Sequence, residues 1–169
     1  MSRFRANCSK CCGLCCVVPS FFAAQGFGEN KRAEVPCAHL VRGSRCSIHA
    51  TRELHGYIAC QGFDCYGAGQ WITQDLFNGA TWSDAADVAQ AMFDAYRFWQ
   101  PRFEAAALLE ASLPFVRANA RHTIAERIER LSSTDSSGAG VSIDSLQLRR
   151  DTLALIRSAL QGSDLHPRE

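Results

Sequence analysis

Hydrophobic residues recur at helical spacing mainly in the second part of the chain. Over residues 85–99 they return every three or four positions, the period of a helix with one buried face. Thr81 or Ser83 can cap this helix at its N-terminus. The pattern resumes over residues 103–109, so Pro101 predicts either a kink or the start of a new helix.

Two further helices follow. Pro114 lies in the predicted first turn of one of them, which has an apolar stripe of Val116, Ala120, Ile124, Ile128 and Leu131. Residues 132–141 are small and polar, which is typical of a flexible linker. The last helix is predicted from about Asp144 to a stop at Gly162. Its apolar positions form one face of Leu146, Leu153, Ile156 and Leu160, with Leu148, Leu155 and Ala159 beside it.

Residues 1–70 have no helix-length pattern and are divided into short pieces by glycines and two prolines. Their few apolar side chains bury too little to offset the chain entropy, and metal ligation can supply the stabilisation. The predicted fold is mainly α: a small, loop-rich, metal-organised N-terminal module followed by a helical hairpin or small bundle. The expected division is 1–70 for the module, 71–131 for the helical domain, 132–141 for the linker and 142–162 for the C-terminal helix.

Length, charge and hydropathy narrow the functional classes. A chain of 169 residues forms one domain, or one domain with a small appendage. The net charge of +1 gives no electrostatic basis for nucleic-acid binding. No apolar run approaches the ~20 residues that span a bilayer. The N-terminus has no apolar segment of a signal peptide, so the expected compartment is the cytoplasm.

All nine cysteines lie between Cys8 and Cys65. An odd count without an export signal disfavours a secreted disulfide scaffold, and clustered thiols in a reducing compartment more often bind metal. Two residues separate Cys8 from Cys11, a spacing that lets both thiolates face one metal while backbone amides point at the sulfurs. Cys12 and Cys15 have the same spacing, and Gly13 permits the tight turn. Cys15 and Cys16 are adjacent, so their side chains diverge and are expected to serve different sites unless one does not ligate.

The order of these cysteines resembles a known family. Cys8-x2-Cys11-x3-Cys15-Cys16, Pro36-Cys37-Ala38-His39-Leu40, Arg45-Cys46-Ser47-Ile48-His49 and Cys60-x2-Phe63-Asp64-Cys65 are similar to blocks of the CxxCxxCC family. That family comprises bacterial proteins described as zinc- or iron-chelating domains and includes flagellin lysine methylase-type proteins. The chain differs from the family in three ways. It has three residues instead of two between Cys11 and the Cys15–Cys16 pair, it has the additional Cys12, and it has Arg52-Glu53-Leu54 where the family usually has an Arg–Pro pair.

The resemblance implies metal binding by eight matching cysteines: Cys8, Cys11, Cys15, Cys16, Cys37, Cys46, Cys60 and Cys65. Eight thiolates suit two tetrahedral zinc sites or two clusters, and the expected split is Cys8–Cys16 against Cys37–Cys65. Cys12 is then the spare thiol, either buried or an additional ligand, and His49 is a further possible ligand. Zinc is the first choice of metal, iron or an iron–sulfur cluster the second and copper the third.

Other residues near the cysteines have two interpretations each. Asp64 can act as a general base near a metal-bound water, but an acceptor for loop amides is the favoured role. Arg42 and Arg45 can receive an anionic substrate, and compensation of thiolate charge is favoured. The aromatic residues around Tyr96 can line a pocket, although their helical spacing first predicts a core.

Three functions are consistent with the sequence. In the first, the metal is structural and the protein is an interaction or accessory module; in the second, an iron–sulfur cluster or open zinc position performs redox or group-transfer chemistry; in the third, the protein stores or delivers metal. No catalytic residue can be assigned. The C-terminal helix is expected to join a homodimer or another protein partner, because its apolar face is wide and its tether is loose.

Overall fold

A computed structural model describes residues 3–41, 45–133 and 144–161. The predicted linker at 132–141 and the predicted stop at Gly162 therefore fall largely outside the described residues. Of the linker only Ser132 and Ser133 are described, and Ser132 is the last residue of a helix, with 6% of its surface exposed.

The described chain is mainly helical, which confirms the predicted fold class at that level. It divides into two compact units, residues 1–100 and residues 101–169. This is a different division from the predicted boundaries at residues 70 and 131, which stay predictions. No helix in the described ranges is long and apolar enough to cross a bilayer.

The first unit contains all the cysteines, some on short elements and some in the segments that join them. The elements are a 3₁₀ turn at Cys8–Lys10, α1 at Leu14–Val17, 3₁₀ turns at Ala23–Gln25 and Glu53–His55, an antiparallel pair of β1 (Leu40–Val41) and β2 (Arg45–Cys46), α2 at Ile58–Gly62 and α3 at Ala68–Trp71. A π-helical turn at Ile72–Leu76 follows α3 directly. The absence of long elements among the described residues before Trp71 matches the expectation of a loop-rich segment.

Helix α4 spans Ala86–Ser112 and contains Pro101. The proline therefore neither ends the helix nor starts a new one. Upstream, the backbone N–H and hydroxyl of Thr81 both donate to the Asp84 carboxylate, which closes a turn before the helix rather than capping it. Within the first unit, Met92, Phe93, Tyr96 and Trp99 of α4 are buried, as the helical spacing predicts.

The second unit contains α5 at Ala118–Ser132 and α6 at Ser145–Leu160. Pro114 precedes α5 in a turn instead of lying in its first helical turn. The start of α6 is as predicted, because the Asp144 side chain accepts hydrogen bonds from the N–H groups of Leu146 and Gln147. The stripe predicted for α5 is buried at Val116, Ile124 and Leu131.

The buried face of α6 differs from the predicted one. Leu148, Thr152 and Ala159 are buried, whereas Leu146 is 68% exposed. Thr152 can occupy this face because its hydroxyl donates to the Leu148 carbonyl. The Arg117 side chain also donates to the Ser158 carbonyl, so α6 makes contacts within its own unit. The expected dimer or partner interface of this helix stays a prediction.

Candidate metal centre

All nine cysteines are free thiols, and eight of them are at least partly buried; Cys8 is exposed. Among the described residues, no group of three or more His, Cys, Asp or Glu side chains is gathered closely enough to hold a metal ion as it stands. The thiols nevertheless fall into two neighbourhoods, which can be recognised from the groups that act on each thiol electrostatically and from the residues that pack around them.

The first neighbourhood joins the N-terminal cysteines to Cys65. Burial raises the pKa of Cys11 to about 12, and the charges of Cys12 and Cys65 add to the rise. Partial burial raises the pKa of Cys8, with Cys65 as the strongest charged neighbour. The pKa of Cys15 is raised well above its ordinary value by its hydrogen bond with Cys16, by burial and by the charges of Cys16, Cys11 and Cys65. We call Cys8, Cys11, Cys15 and Cys65 the first thiol group.

A glycine in α3 makes room for this group. A Cβ added at Gly69 would lie 2.7 Å from Cys11 Sγ and 3.8 Å from Cys65 Sγ. Both sulfurs therefore approach the same Cα, which only a residue without a side chain allows. The segment after Cys65 also lies against the N-terminal segment, since the Gln70 side chain accepts a hydrogen bond from the Asn7 N–H.

The predicted turn after Cys11 is present. Gly13 has a φ of 81°, and its N–H donates to Cys11 Sγ over 3.3 Å. Amide-to-sulfur contacts of this kind stabilise thiolates that bind metal. This one is made to Cys11, three residues before Leu14 rather than before a cysteine, so it lies outside the Cys-x2-Cys spacings. The prediction that Gly13 allows a tight turn is confirmed.

The second neighbourhood surrounds an apolar cluster. Cys37 is buried in it with Phe21, Ile48 and Tyr57, and the partly buried Cys16, Phe27, Cys46 and Cys60 pack against it. The Cys37 N–H donates to the Cys16 carbonyl at 2.9 Å, which ties α1 to this region. We call Cys16, Cys37, Cys46 and Cys60 the second thiol group.

Electrostatics support the same grouping. Burial raises the pKa values of Cys37, Cys46 and Cys60, in the last case to about 11. The charge of Cys16 contributes to all three rises, whereas that of Cys15 is not among the principal influences on any of them. The charge of Cys16 also raises the pKa of Cys8 and Cys15, so it is the packing of Cys16 against the Cys37 cluster that places it with the later cysteines.

The two groups meet at adjacent residues. Cys15 Sγ and Cys16 Sγ lie 3.9 Å apart in α1. The hydrogen bond with Cys15 lowers the pKa of Cys16 although burial opposes this, and the positive charges of Lys31 and Arg52 lower it further. Cys16 is thus the more acidic thiol of the pair, and it is the one on which the positive charges of Lys31 and Arg52 act.

Lys31 and Arg52 are the cations near the thiols, and the sequence analysis did not single them out for this role. Lys31 is 7% exposed, and its ammonium donates to the carbonyls of Val17, Pro19 and Arg32. The Arg52 guanidinium donates to the Cys60 carbonyl at 2.7 Å. Arg52 stands where the family that the sequence resembles has its Arg–Pro pair. That correspondence was the sequence signal that could have drawn attention to Arg52.

The arginines favoured for charge compensation are placed differently. Arg45 is exposed and is not among the principal charged neighbours of any thiol, and Arg42 lies outside the described residues. The favoured role of Asp64 is confirmed, since its carboxylate accepts the Tyr66 N–H at 2.7 Å. His49 is exposed and donates its backbone N–H to the Cys46 carbonyl. A ligand role for its ring stays a prediction.

Cys12 is near enough to Cys11 to raise its pKa, but its own hydrogen bonds lead away from the thiols. It is 2% exposed, and the Thr73 hydroxyl lies 3.3 Å from its sulfur. Its carbonyl accepts the Trp82 indole N–H, and its own N–H donates to the Thr73 hydroxyl. These contacts are those of a small buried residue that anchors the segment after Trp71 to the cysteine-rich segment.

Two buried polar atoms test whether the cysteine region fits a bound metal. The hydroxyl of Tyr96 and Nε of Arg52 are buried without a hydrogen-bond partner among the described residues. Both residues interact electrostatically with the thiols. A buried donor without an acceptor is costly, and metal-bound thiolates are good acceptors, so the residues present fit such a group.

The predicted split of the thiols therefore differs from the observed groups. The predicted split has Cys16 with the N-terminal cysteines and Cys65 with the later ones, whereas packing places Cys16 beside Cys37 and Cys65 beside Cys11. The reason is that the chain returns to its N-terminus at Cys65 and Gly69, while the backbone bond from Cys37 draws Cys16 the other way. This arrangement agrees with the other expectation, that Cys15 and Cys16 serve different sites, and the division of ligands stays a prediction.

Comparison with known proteins gives one relative. The chain is 33% identical over 130 residues to "Uncharacterized protein YybG" of Bacillus subtilis (strain 168). The matched region covers 75% of this chain and 47% of that protein, so the chain spans about half the length of this curated relative. No protein-family model matches the chain, and no solved structure matches it.

Proposed function

We propose that the chain binds two metal ions through thiolates, one at each thiol group. Cys8, Cys11, Cys15 and Cys65 hold the first ion, and Cys16, Cys37, Cys46 and Cys60 hold the second. The observation that carries this proposal is the division of eight cysteines into two groups of four, with Cys12 bonded elsewhere. Four thiolates per ion is a complete tetrahedral ligand set for zinc, our first choice of metal.

The donor set and its surroundings support this proposal. In a zinc tetrathiolate with Zn–S bonds of ~2.3 Å, sulfurs lie about 3.8 Å apart, so most of the thiols must converge further when a metal binds. The short elements that carry them leave freedom for such a movement. Lys31 and Arg52 reduce the negative charge that ionised thiols would accumulate around Cys16.

A bound ion of this kind supplies structural cross-links. It would tie the Cys8–Lys10 turn and α1 to the segments that carry Cys46, Cys60 and Cys65. Such cross-links suit a segment in which the described elements before Trp71 are all short. The resemblance to the CxxCxxCC family supports the same function, and it extends the proposal to iron as the second choice.

Metal analysis of the full chain purified without oxygen tests the proposal. We expect a colourless protein with about two zinc ions per chain and eight thiols protected from alkylation. A brown protein with iron and sulfide would instead favour the iron–sulfur enzyme. Zinc that a chelator removes without increasing proteolysis of residues 1–70 would favour storage or delivery. A metal-free protein with all nine thiols reactive would refute the proposal.

Cys12→Ser should leave the metal content unchanged, whereas Cys11→Ser should lower it. The reason is that the sulfur of Cys12 is paired with the Thr73 hydroxyl, and a serine hydroxyl there can still pair with Thr73. The two variants form a matched pair, since they differ by one position in the chain. An equal loss of metal in both would contradict the assignment of eight ligands.

A further inference from the structure

A buried hydroxyl distinguishes the first thiol group from the second. Tyr96 lies in α4 and is 5% exposed, and its hydroxyl has no hydrogen-bond partner in the described part of the chain. Burying a hydroxyl without an acceptor is unfavourable. Nothing in the helical pattern requires tyrosine here, because phenylalanine would fill the same apolar position.

Neighbouring elements place Tyr96 beside the first thiol group. One turn further along α4, the Trp99 ring contacts Trp71 of α3 with ring centroids 4.7 Å apart. Gly69 of α3 is the residue that Cys11 and Cys65 approach. Burial raises the pKa of Tyr96 well above its usual range, and the charges of Cys15, Cys65, Cys11 and, last among them, Cys16 add to the rise. Three members of the first group thus lie near the hydroxyl, which stays a donor at neutral pH.

We propose that the Tyr96 hydroxyl donates a hydrogen bond to a thiolate of the first group when the metal is bound, and that Tyr96 is a positioning residue for that site. This inference rests on the proposed function. A protonated thiol is a weak acceptor, whereas a metal-bound thiolate carries negative charge and accepts a strong bond. The bond therefore forms when metal binds. The hydroxyl, which is unpaired in the metal-free chain, then contributes to the affinity of the site for metal.

Tyr57 provides a matched control beside the second thiol group. It is 4% exposed and packs with Cys37, so its burial resembles that of Tyr96. Its hydroxyl differs in being hydrogen-bonded to Glu29. Removing that hydroxyl takes away a bond that exists before metal binds, whereas removing the Tyr96 hydroxyl takes away none.

Three measurements on Tyr96→Phe, Tyr57→Phe and the unaltered full-length chain test the inference. The first is zinc affinity by chelator competition. We expect one of two affinities to fall roughly 10- to 100-fold in Tyr96→Phe, the range for a lost bond to a charged acceptor. The second is thermal unfolding of the metal-free chain, in which Tyr96→Phe should be at least as stable as the unaltered protein and Tyr57→Phe less stable.

The third measurement identifies the site. N-ethylmaleimide modification of the zinc-loaded chains, followed by mass mapping, should show faster reaction in Tyr96→Phe at cysteines of the first group and no change at those of the second. A thiolate that has lost a donor is a better nucleophile. Unchanged affinities and rates in a chain that binds two zinc ions would overturn this inference alone. Failure of the unaltered chain to bind zinc or iron would overturn the proposed function and this inference with it.

Discussion

Two double variants with the same number of lost thiols should differ completely in metal content. We expect Cys11→Ser/Cys65→Ser to retain about one of two metal ions, because both cysteines belong to the first thiol group and the second group stays complete. Cys11→Ser/Cys60→Ser should retain none, because it removes a ligand from each group. Metal content per folded chain, measured after gel filtration, gives the answer directly.

The single variants provide the controls for this comparison. Cys11→Ser, Cys60→Ser and Cys65→Ser should each lose about one ion. A second substitution in the same thiol group should then cause no further loss of metal, whereas a second substitution in the other group should remove the remaining ion. The original sequence-based split places Cys11 in one site and both Cys60 and Cys65 in the other, so it predicts the loss of both ions from both double variants. Loss of both ions from Cys11→Ser/Cys65→Ser, as from Cys11→Ser/Cys60→Ser, would support that split and refute the structural grouping.

Gly69→Ala should empty the first metal site while leaving the fold intact. The new Cβ would lie 2.7 Å from Cys11 Sγ, closer than two such atoms can approach. The least costly relief is rotation of the Cys11 side chain, which moves the sulfur away from its position beside Cys65. We expect about one ion to be lost per chain and about 1–3 kcal/mol of stability to be lost through overpacking.

Gly62→Ala is the matched control for this substitution. Gly62 ends α2, two residues after Cys60, and a Cβ there would meet no atom within 4 Å. The variant should keep its full metal content and an unfolding temperature close to that of the unaltered chain. If Gly69→Ala also keeps both ions, then Cys11 is not a ligand in the position that the structure gives it.

Local sequence signals predicted a helix boundary correctly where neighbouring residues alone form the cap of that helix. Asp144 caps α6 through its own side chain, so the start of that helix follows from a few neighbouring residues. The start of α5 was misplaced, because Pro114 is equally suited to a turn. The buried face of α6 was also misjudged at Leu146. Hydrophobic spacing defines apolar stripes, and only packing decides which of two adjacent stripes is covered.

The sequence by itself determined that nine thiols lie within one segment, Cys8 to Cys65, and it predicted that eight of them bind metal and that Cys12 is the spare one. These conclusions depend on residue type and spacing, which are written along the chain. Tertiary structure alone decided which thiols are neighbours. Cys15 and Cys16 are adjacent in the sequence, yet a backbone bond from Cys37 assigns Cys16 to one group, and the return of the chain at Gly69 brings Cys65 to the other. The Tyr96 hydroxyl became notable for the same reason, since a helical stripe shows that a side chain is buried but not what its polar atom faces.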